Sequence, residues 1–257
     1  MIRDRKPRVA ICLLTFGDYP QLARRALDSF QTNCKRSLYK LIVGANAVSH
    51  ETLRLLKARQ AVGDIDHLII SGTNLCKYPM MRRMFECIDT EYVWWFDDDS
   101  FVTGRRALSQ WLQAADSASK PTVLWGELAR CNHPLAFTDL EDPLGFVRSA
   151  PWYRGLPPPS WRAGGKGEFN FQGKGQGDGR WFFIFGGCWM MRTCALRALD
   201  WPDARLRHRG GDALLGEAIR QQGWEMANVG ALGVAINTEA RRGAGRDLLT
   251  RLSANLR

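Results

Sequence analysis

Three consecutive carboxylates, Asp97-Asp98-Asp99, follow directly on the apolar run Tyr92-Val93-Trp94-Trp95-Phe96. Two acids one residue apart can hold a hard divalent cation, which prefers oxygen ligands and also binds phosphate oxygens. A solvated acidic turn would use the same residues. The preceding run favours the cation, because it describes a strand buried on both faces, as in a covered parallel sheet. Unpaired carboxylates cannot enter such a core. They must project from the strand's carboxyl end, where α/β proteins place their ligands.

The elements that would position these acids alternate in type. Residues 9–15, 39–45, 66–71 and 92–97 read as strands, and 19–33, 49–61 and 79–88 read as helices. Leu22, Ala26, Leu27 and Phe30 carry the helical spacing of the first helix, and Ser49 is placed to cap the second. This βαβαβαβ order predicts a parallel sheet with helices on both faces. Right-handed crossovers then bring Thr15 to Asp18, Gly44-Ala45-Asn46 and Asp97 to Asp99 to one edge. A helix over 105–117 and a strand over 121–127 continue the pattern.

The character then changes. Residues 130–180 hold Pro157-Pro158-Pro159, Trp152, Trp161 and a Gly/Lys-rich run from Gly164 to Gly179. So much Gly and Pro argues against regular structure, while the aromatics argue against a free linker, so the segment reads as a functional loop. It has no Gly-Lys-Ser or Gly-Lys-Thr, which disfavours a P-loop nucleotidase. Residues 181–185 read as a second buried strand running into Gly186-Gly187, 193–199 as a short helix, and 212–223 as a helix stopped by Gly223. Residues 224–229 read as a strand. There is no internal repeat.

Length permits one large domain or two small ones. No apolar run approaches the roughly 18 to 20 residues that span a bilayer, and the basic start lacks a leader's apolar segment. Seven scattered cysteines with no Cys-x-x-Cys pair argue against a disulfide framework and for a reducing, cytoplasmic setting. The net charge of +10 suits a polyanionic partner, nucleic acid included, or simply a solubilising surface.

The opening Val9-Ala10-Ile11-Cys12-Leu13-Leu14-Thr15-Phe16-Gly17-Asp18-Tyr19-Pro20, the Asp97-Asp98-Asp99 run and the Gly211-Asp212 helix ending at Gly223 together resemble the family 2 glycosyltransferases of the GT-A fold. The resemblance covers residues 8–236. It implies a Rossmann-like, mostly parallel sheet between helices, with 8–128 as the nucleotide-sugar-binding half and 129–236 as the acceptor-side half. Residues 237–257 would form a basic C-terminal segment. It implies a nucleotide-diphosphate sugar donor, a UDP-sugar first, and Mn²⁺ or Mg²⁺ to neutralise the diphosphate leaving group. Asp99 would ligate the metal and Asp97 the ribose or metal shell, with Asp98 pointing away because neighbours on an extended segment alternate. Asp212 would be the general base of an inverting transfer. As a residue at a helix start it would equally serve as an N-cap.

Further assignments follow on the same footing. Phe16 is placed to stack on a nucleobase, with Thr15 and Gly17 offering backbone contacts. Lys77 is placed to meet a phosphate, with Arg82 or Arg83 as alternatives. Gly186 and Gly187 allow close backbone approach to the donor sugar. Trp189, Gly211, Trp152, Lys166 and Phe169 are candidates for the acceptor side, and Phe16 and Trp189 would equally suit a core. Glu217 reads as supportive, His208 as an exposed member of a basic run, and Asn237 and Glu239 as weak candidates to complete the metal site.

Two positions depart from the family. Gly44-Ala45-Asn46 stands where an acid usually reads the base, which leaves Asn46 to supply hydrogen bonds to the nucleotide sugar and makes a uridine preference less secure. Gly211 replaces the usual Glu before the base. The acceptor stays unnamed: a glycan, a lipid, a small molecule, or a polyanion such as hydroxymethylated DNA. For duplex DNA, Trp152, Phe169 or Phe171 would fill the gap left by a flipped base. A catalytically idle nucleic-acid-binding protein and a nucleotidyltransferase are the readings of other classes. The Asp212 helix argues against the second of these.

Overall fold

The computed structural model describes residues 6–131, 140–156, 169–171, 181–230 and 232–236. Its first half follows the alternating pattern: β1 (Val9–Gly17), α1 (Pro20–Asn33), β2 (Tyr39–Val48), α2 (His50–Ala61), β3 (His67–Ser71), α3 (Lys77–Phe85) and β4 (Tyr92–Asp97). Local chemistry accounts for several boundaries. Pro20 opens α1, and the Ser49 hydroxyl accepts from the Thr52 N–H as the cap of α2. The helix predicted to start at Pro79 starts two residues earlier. Pro79 still falls in the first turn, where its missing N–H leaves no intrahelical bond unmade.

Then come β5 (Phe101–Val102), α4 (Ala107–Ser117), β6 (Thr122–Cys131), α5 (Pro143–Ser149), β7 (Phe169–Phe171), β8 (Trp181–Arg192), α6 (Thr193–Ala198), α7 (Gly211–Gln221), β9 (Glu225–Asn228) and β10 (Val234–Ala235). The main sheet runs β3-β2-β1-β4-β8-β6-β7, with β9 also on β6, while β10 and β5 form a separate pair. Strands β3, β2, β1 and β4 are parallel, as predicted. The expectation that β6 would simply extend that series is corrected. Strand β8 lies between β4 and β6 and is antiparallel to both.

Burial alternates with the strand period, so each strand serves two cores. Val93 and Trp95 of β4 join one core with Tyr78 and Met81 of α3 and Leu214 and Ile219 of α7. Tyr92, Trp94 and Phe96 join the other, with Phe30 of α1, Leu56 of α2 and Trp111 of α4. The Trp-Trp-Phe run before the acids therefore fills both faces. With no other direction open, Asp97 leaves the sheet at its end.

Between Gly126 and Leu128 the β6–β8 register shifts: Gly126 faces Trp189 and Leu128 faces Ile184, so residues 185–187 bulge out of that ladder. Bulges re-aim side chains near functional sites. This one lies just beyond the last β4–β8 partners, Phe96 and Cys188, and it carries Gly186.

Candidate active site

The carboxyl ends of β1, β2 and β4 frame an open cleft of about 90 Å³ lined by Phe16, Asn46, Asn74, Lys77, Asp97, Asp98 and His208. Asp97 is tied on both oxygens. Its Oδ1 accepts from the Trp95 indole at 3.1 Å and its Oδ2 from Lys77 Nζ at 2.9 Å. Lys77 Nζ also donates to the Gly186 carbonyl at 3.0 Å, joining α3, β4 and the β8 bulge through one ammonium.

Asp99 is only 9% exposed. Its carboxyl is pushed up to about 7, first by burial and then by the charge of Asp97, against the pull of Lys77 and Arg25. A carboxylate held in that state suits a cation. Among the described residues no group of three or more His, Cys, Asp or Glu side chains could hold a metal ion. The protein would therefore supply Asp99, with Asp97 adjoining, and substrate phosphates the remaining oxygens, as is usual for Mg²⁺-like sites. On that division of ligands the residues fit a divalent cation.

Asp98 does not point away. It is buried in the turn after β4, and its Oδ2 accepts the Phe16 N–H at 3.2 Å, pinning the turn that ends β1. Phe16 itself is 36% exposed and lines the cleft, which leaves it available to a nucleobase. Thr15 is buried and its hydroxyl donates to the Gly44 carbonyl. Gly17 holds φ +70, and its carbonyl accepts from the Ser49 N–H.

Asn46 is a second correction. Its Nδ2 donates to Asn74 Oδ1 at 3.2 Å and the Cys76 carbonyl at 3.3 Å, while its Oδ1 accepts the Leu75 N–H at 2.9 Å. The amide is spent on the loop before α3, and so it holds the cleft wall instead of reading a base.

Asp212 is the second residue of α7. The N-cap is Gly210, in the left-handed region at φ +81 with no side-chain cap, so Asp212 is not itself the cap. The Tyr78 hydroxyl donates to its Oδ1 at 3.2 Å. Burial, and after it the neighbouring Asp212 charge, raises the Tyr78 phenol well above its usual range. A small cavity lined by Lys77, Tyr78, Met81, Gly186, Trp189, Trp201 and Asp212 adjoins the cleft through Lys77 and contains the carboxylate. A Cβ on Gly186 would lie 2.7 Å from Asp212 Oδ2, so the missing side chain makes room for the acid.

The aromatic candidates for the acceptor side are relocated. Trp152 is 2% exposed and belongs to the core, where it cannot stack on an extruded base. Trp189 is 3% exposed and stacks on Trp95 with ring centres 6.0 Å apart, which leaves no open sugar platform. Trp152 lies in a turn with no period and Trp189 in a continuous apolar strand, so periodicity separates core from surface at neither. Arg82 is occupied by Asp200 and the Pro202 carbonyl, and Arg83 is exposed and absent from the cleft lining, so Lys77 is the cation on the cleft. Glu217 is buried, paired with Arg220 and hydrogen-bonded to Gln221, in a structural role. His208 is exposed on the cleft lining. Gly187 is buried in β8. Lys166, Asn237 and Glu239 lie outside the described residues, as do the side chains of Phe169 and Phe171.

Sequence reasoning missed Tyr78 altogether. Its spacing in α3 reads as one more core residue, and the only available signal was the glycine at 211 that makes room for it.

The fold is that of GT-A-like proteins, a mostly parallel α/β sheet between helices. No protein-family model matches the chain, and no curated protein matches it. Among solved structures, the mannosyltransferase PcManGT from Pyrobaculum calidifontis, in complex with GDP-Man and Mn²⁺, aligns with a TM-score of 0.64 at 12% identity, covering 98% of this chain and 62% of its own. S. aureus TarS aligns at 0.55 and 10% identity, covering 91% of this chain and 37% of its own. A shorter TarS, residues 1–349 in complex with UDP-GlcNAc, aligns at 0.57 and 10% identity, covering 97% and 66%. The chain thus spans two thirds or less of the length of these neighbours.

Proposed function

We propose that this chain is a glycosyltransferase that moves a sugar from a nucleotide-diphosphate donor to an acceptor hydroxyl, with inversion at the anomeric carbon. The observation that carries the proposal is the convergence on Gly186. Its carbonyl accepts from Lys77, the partner of Asp97, while the Asp212 carboxylate occupies the place of its missing side chain. A donor-binding group and a base then flank a single point.

Phe16 stacks the nucleobase and Lys77 faces the diphosphate. Asp99, with Asp97 beside it, would hold Mn²⁺ or Mg²⁺. When bound, that ion neutralises charge on the departing diphosphate. Asp212 takes the proton of the attacking hydroxyl as the hydroxyl oxygen bonds to the anomeric carbon, and the carbon–oxygen bond to the diphosphate breaks with its electron pair. The neighbours bound to GDP-Man with Mn²⁺ and to UDP-GlcNAc support a donor of this class. Because the Asn46 amide is engaged by Asn74, Leu75 and Cys76, the donor panel must include guanosine as well as uridine nucleotides.

The test is release of nucleoside diphosphate from UDP- and GDP-sugars with Mn²⁺ or Mg²⁺, by the wild type, D99A and D212N. Turnover by the wild type and its loss in both variants is expected. Variants as fast as wild type would sink the assignment.

A further inference from the structure

Tyr78 and Asp212 stand 134 residues apart in sequence and share a hydrogen bond of 3.2 Å. Three contacts fix the tyrosine independently of that bond. Its backbone N–H donates to the Arg207 carbonyl at 3.1 Å, tying the first turn of α3 to the loop before α7. Its ring meets Trp201 edge-on, with centres 6.4 Å apart. Its tip fills the space beside Gly211, where a Cβ would lie 2.1 Å from Cζ and 2.3 Å from the hydroxyl oxygen. No side chain at 211 is compatible with the ring in this place.

The two oxygens of Asp212 are consequently unlike. Oδ1 receives the phenol. Oδ2 is the one nearer Gly186, 2.7 Å from its Cβ position against 3.3 Å for Oδ1. Gly186 is the residue whose carbonyl meets Lys77 on the donor side. We infer that Tyr78 is a positioning residue for the transfer: it holds Oδ1, so that Oδ2 is the oxygen presented to the acceptor hydroxyl and takes its proton. The inference rests on the reading of Asp212 as the base.

A phenol with its titration raised by burial remains an O–H donor throughout the working pH range. The bond therefore aims the Asp212 carboxylate across the working range. Other charges bear on the pair from neighbouring elements. Lys77 of α3 lines the same cavity, Asp97 of β4 acts on Tyr78, and His208 from the loop before α7 lines the adjoining cleft.

The test compares wild type, Y78F and D212N on the panel of UDP- and GDP-sugars with Mn²⁺, using whichever donor the wild type turns over. Y78F keeps the ring and its packing, and its melting temperature checks that it folds. Its kcat is expected to fall about tenfold, the scale of about 1.4 kcal/mol for one hydrogen bond to a charged group, with donor KM within twofold of wild type. A loss confined to kcat, with donor KM and melting temperature kept, is a split that lost packing alone would not cause. Y78F with wild-type kcat, or with kcat and donor KM both changed alike, beside an inactive D212N, overturns the positioning role and leaves the base reading standing. An active D212N, or a wild type that turns over no donor, removes the reading beneath it.

Discussion

Lys77 and Asp212 approach Gly186 in two different ways: the ammonium meets its carbonyl at 3.0 Å, and the carboxylate Oδ2 lies 2.7 Å from the point where a Cβ would stand. The glycine is therefore the hinge of the site's geometry. The substitution G186A adds one methyl group that the short Asp212 side chain must yield to. A displacement of about 1 Å in a reacting group can cost on the order of 100-fold in rate, so kcat should drop by at least tenfold. Overpacking of this kind costs about 1–3 kcal/mol, which a thermal melt will register. Wild-type kcat in G186A would show that the carboxylate has no need of that space.

The pH dependence of stability follows from Asp99. Its folded carboxyl is raised from 3.8 to about 7, chiefly by burial. The bound proton therefore contributes stability that is fully present below about pH 3.8 and lost as pH rises through about 7. D99N carries no such proton. Melting temperatures of metal-free wild type and D99N should diverge in favour of D99N between pH 5 and 8. Added Mn²⁺ should restore the wild type alone, by binding the folded state. A constant difference across this range would contradict the assignment.

Asn46 offers a test of the missing base-reading acid. N46D replaces an amide that donates to Asn74 Oδ1 and the Cys76 carbonyl with a second acceptor facing two acceptors. Lost or repulsive buried contacts of this sort cost about 1–3 kcal/mol. The expected result is a lower melting temperature and no gain in preference for uridine over guanosine donors in a competition assay. A stable N46D with sharpened uridine selectivity would mean that the residue does face the base.

Gln221 anchors the segment after α5. Its Oε1 accepts from the Arg154 and Leu156 N–H groups, and its Nε2 donates to the Leu156 carbonyl and to Glu217. Q221L removes all four bonds. Tryptic cleavage after Arg154 should accelerate several-fold in the folded protein, read by mass spectrometry. Equal cleavage rates would indicate that other contacts hold the segment.

Local features of the chain were legible from sequence because short-range physics sets them. Tyr92–Asp97 is apolar on both faces and could only be a two-sided strand, and Ser49 could satisfy an orphan N–H only by capping. The acids at the end of β4 and the acid in the first turn of α7 are also where the sequence places them. What escaped is non-local. Nothing near residues 181–192 tells that they insert antiparallel between β4 and β6. The bond from Lys77 to Gly186 crosses 109 residues. Asn46 was expected to read a base because its own position is right; its amide is claimed by a loop 28 to 30 residues further on. Trp152 and Trp189 fit core and binding surface equally well by composition, and only the assembled fold separates the two.

The antiparallel place of β8 bears on how the chain can be made. Strands β4 and β6 have no direct ladder, and each acquires its inner neighbour only when residues 181–192 arrive. Until then the emerging polypeptide displays the open edge of β4, with Trp94 and Trp95 on its two sides, a surface prone to mispairing. A fragment ending at residue 128 would keep that open edge and is expected to aggregate when expressed alone. On the ribosome, the strand that carries Gly186 is also the one that joins the two parts of the main sheet, ahead of α7 with Asp212 and of β9, which adds to β6 last.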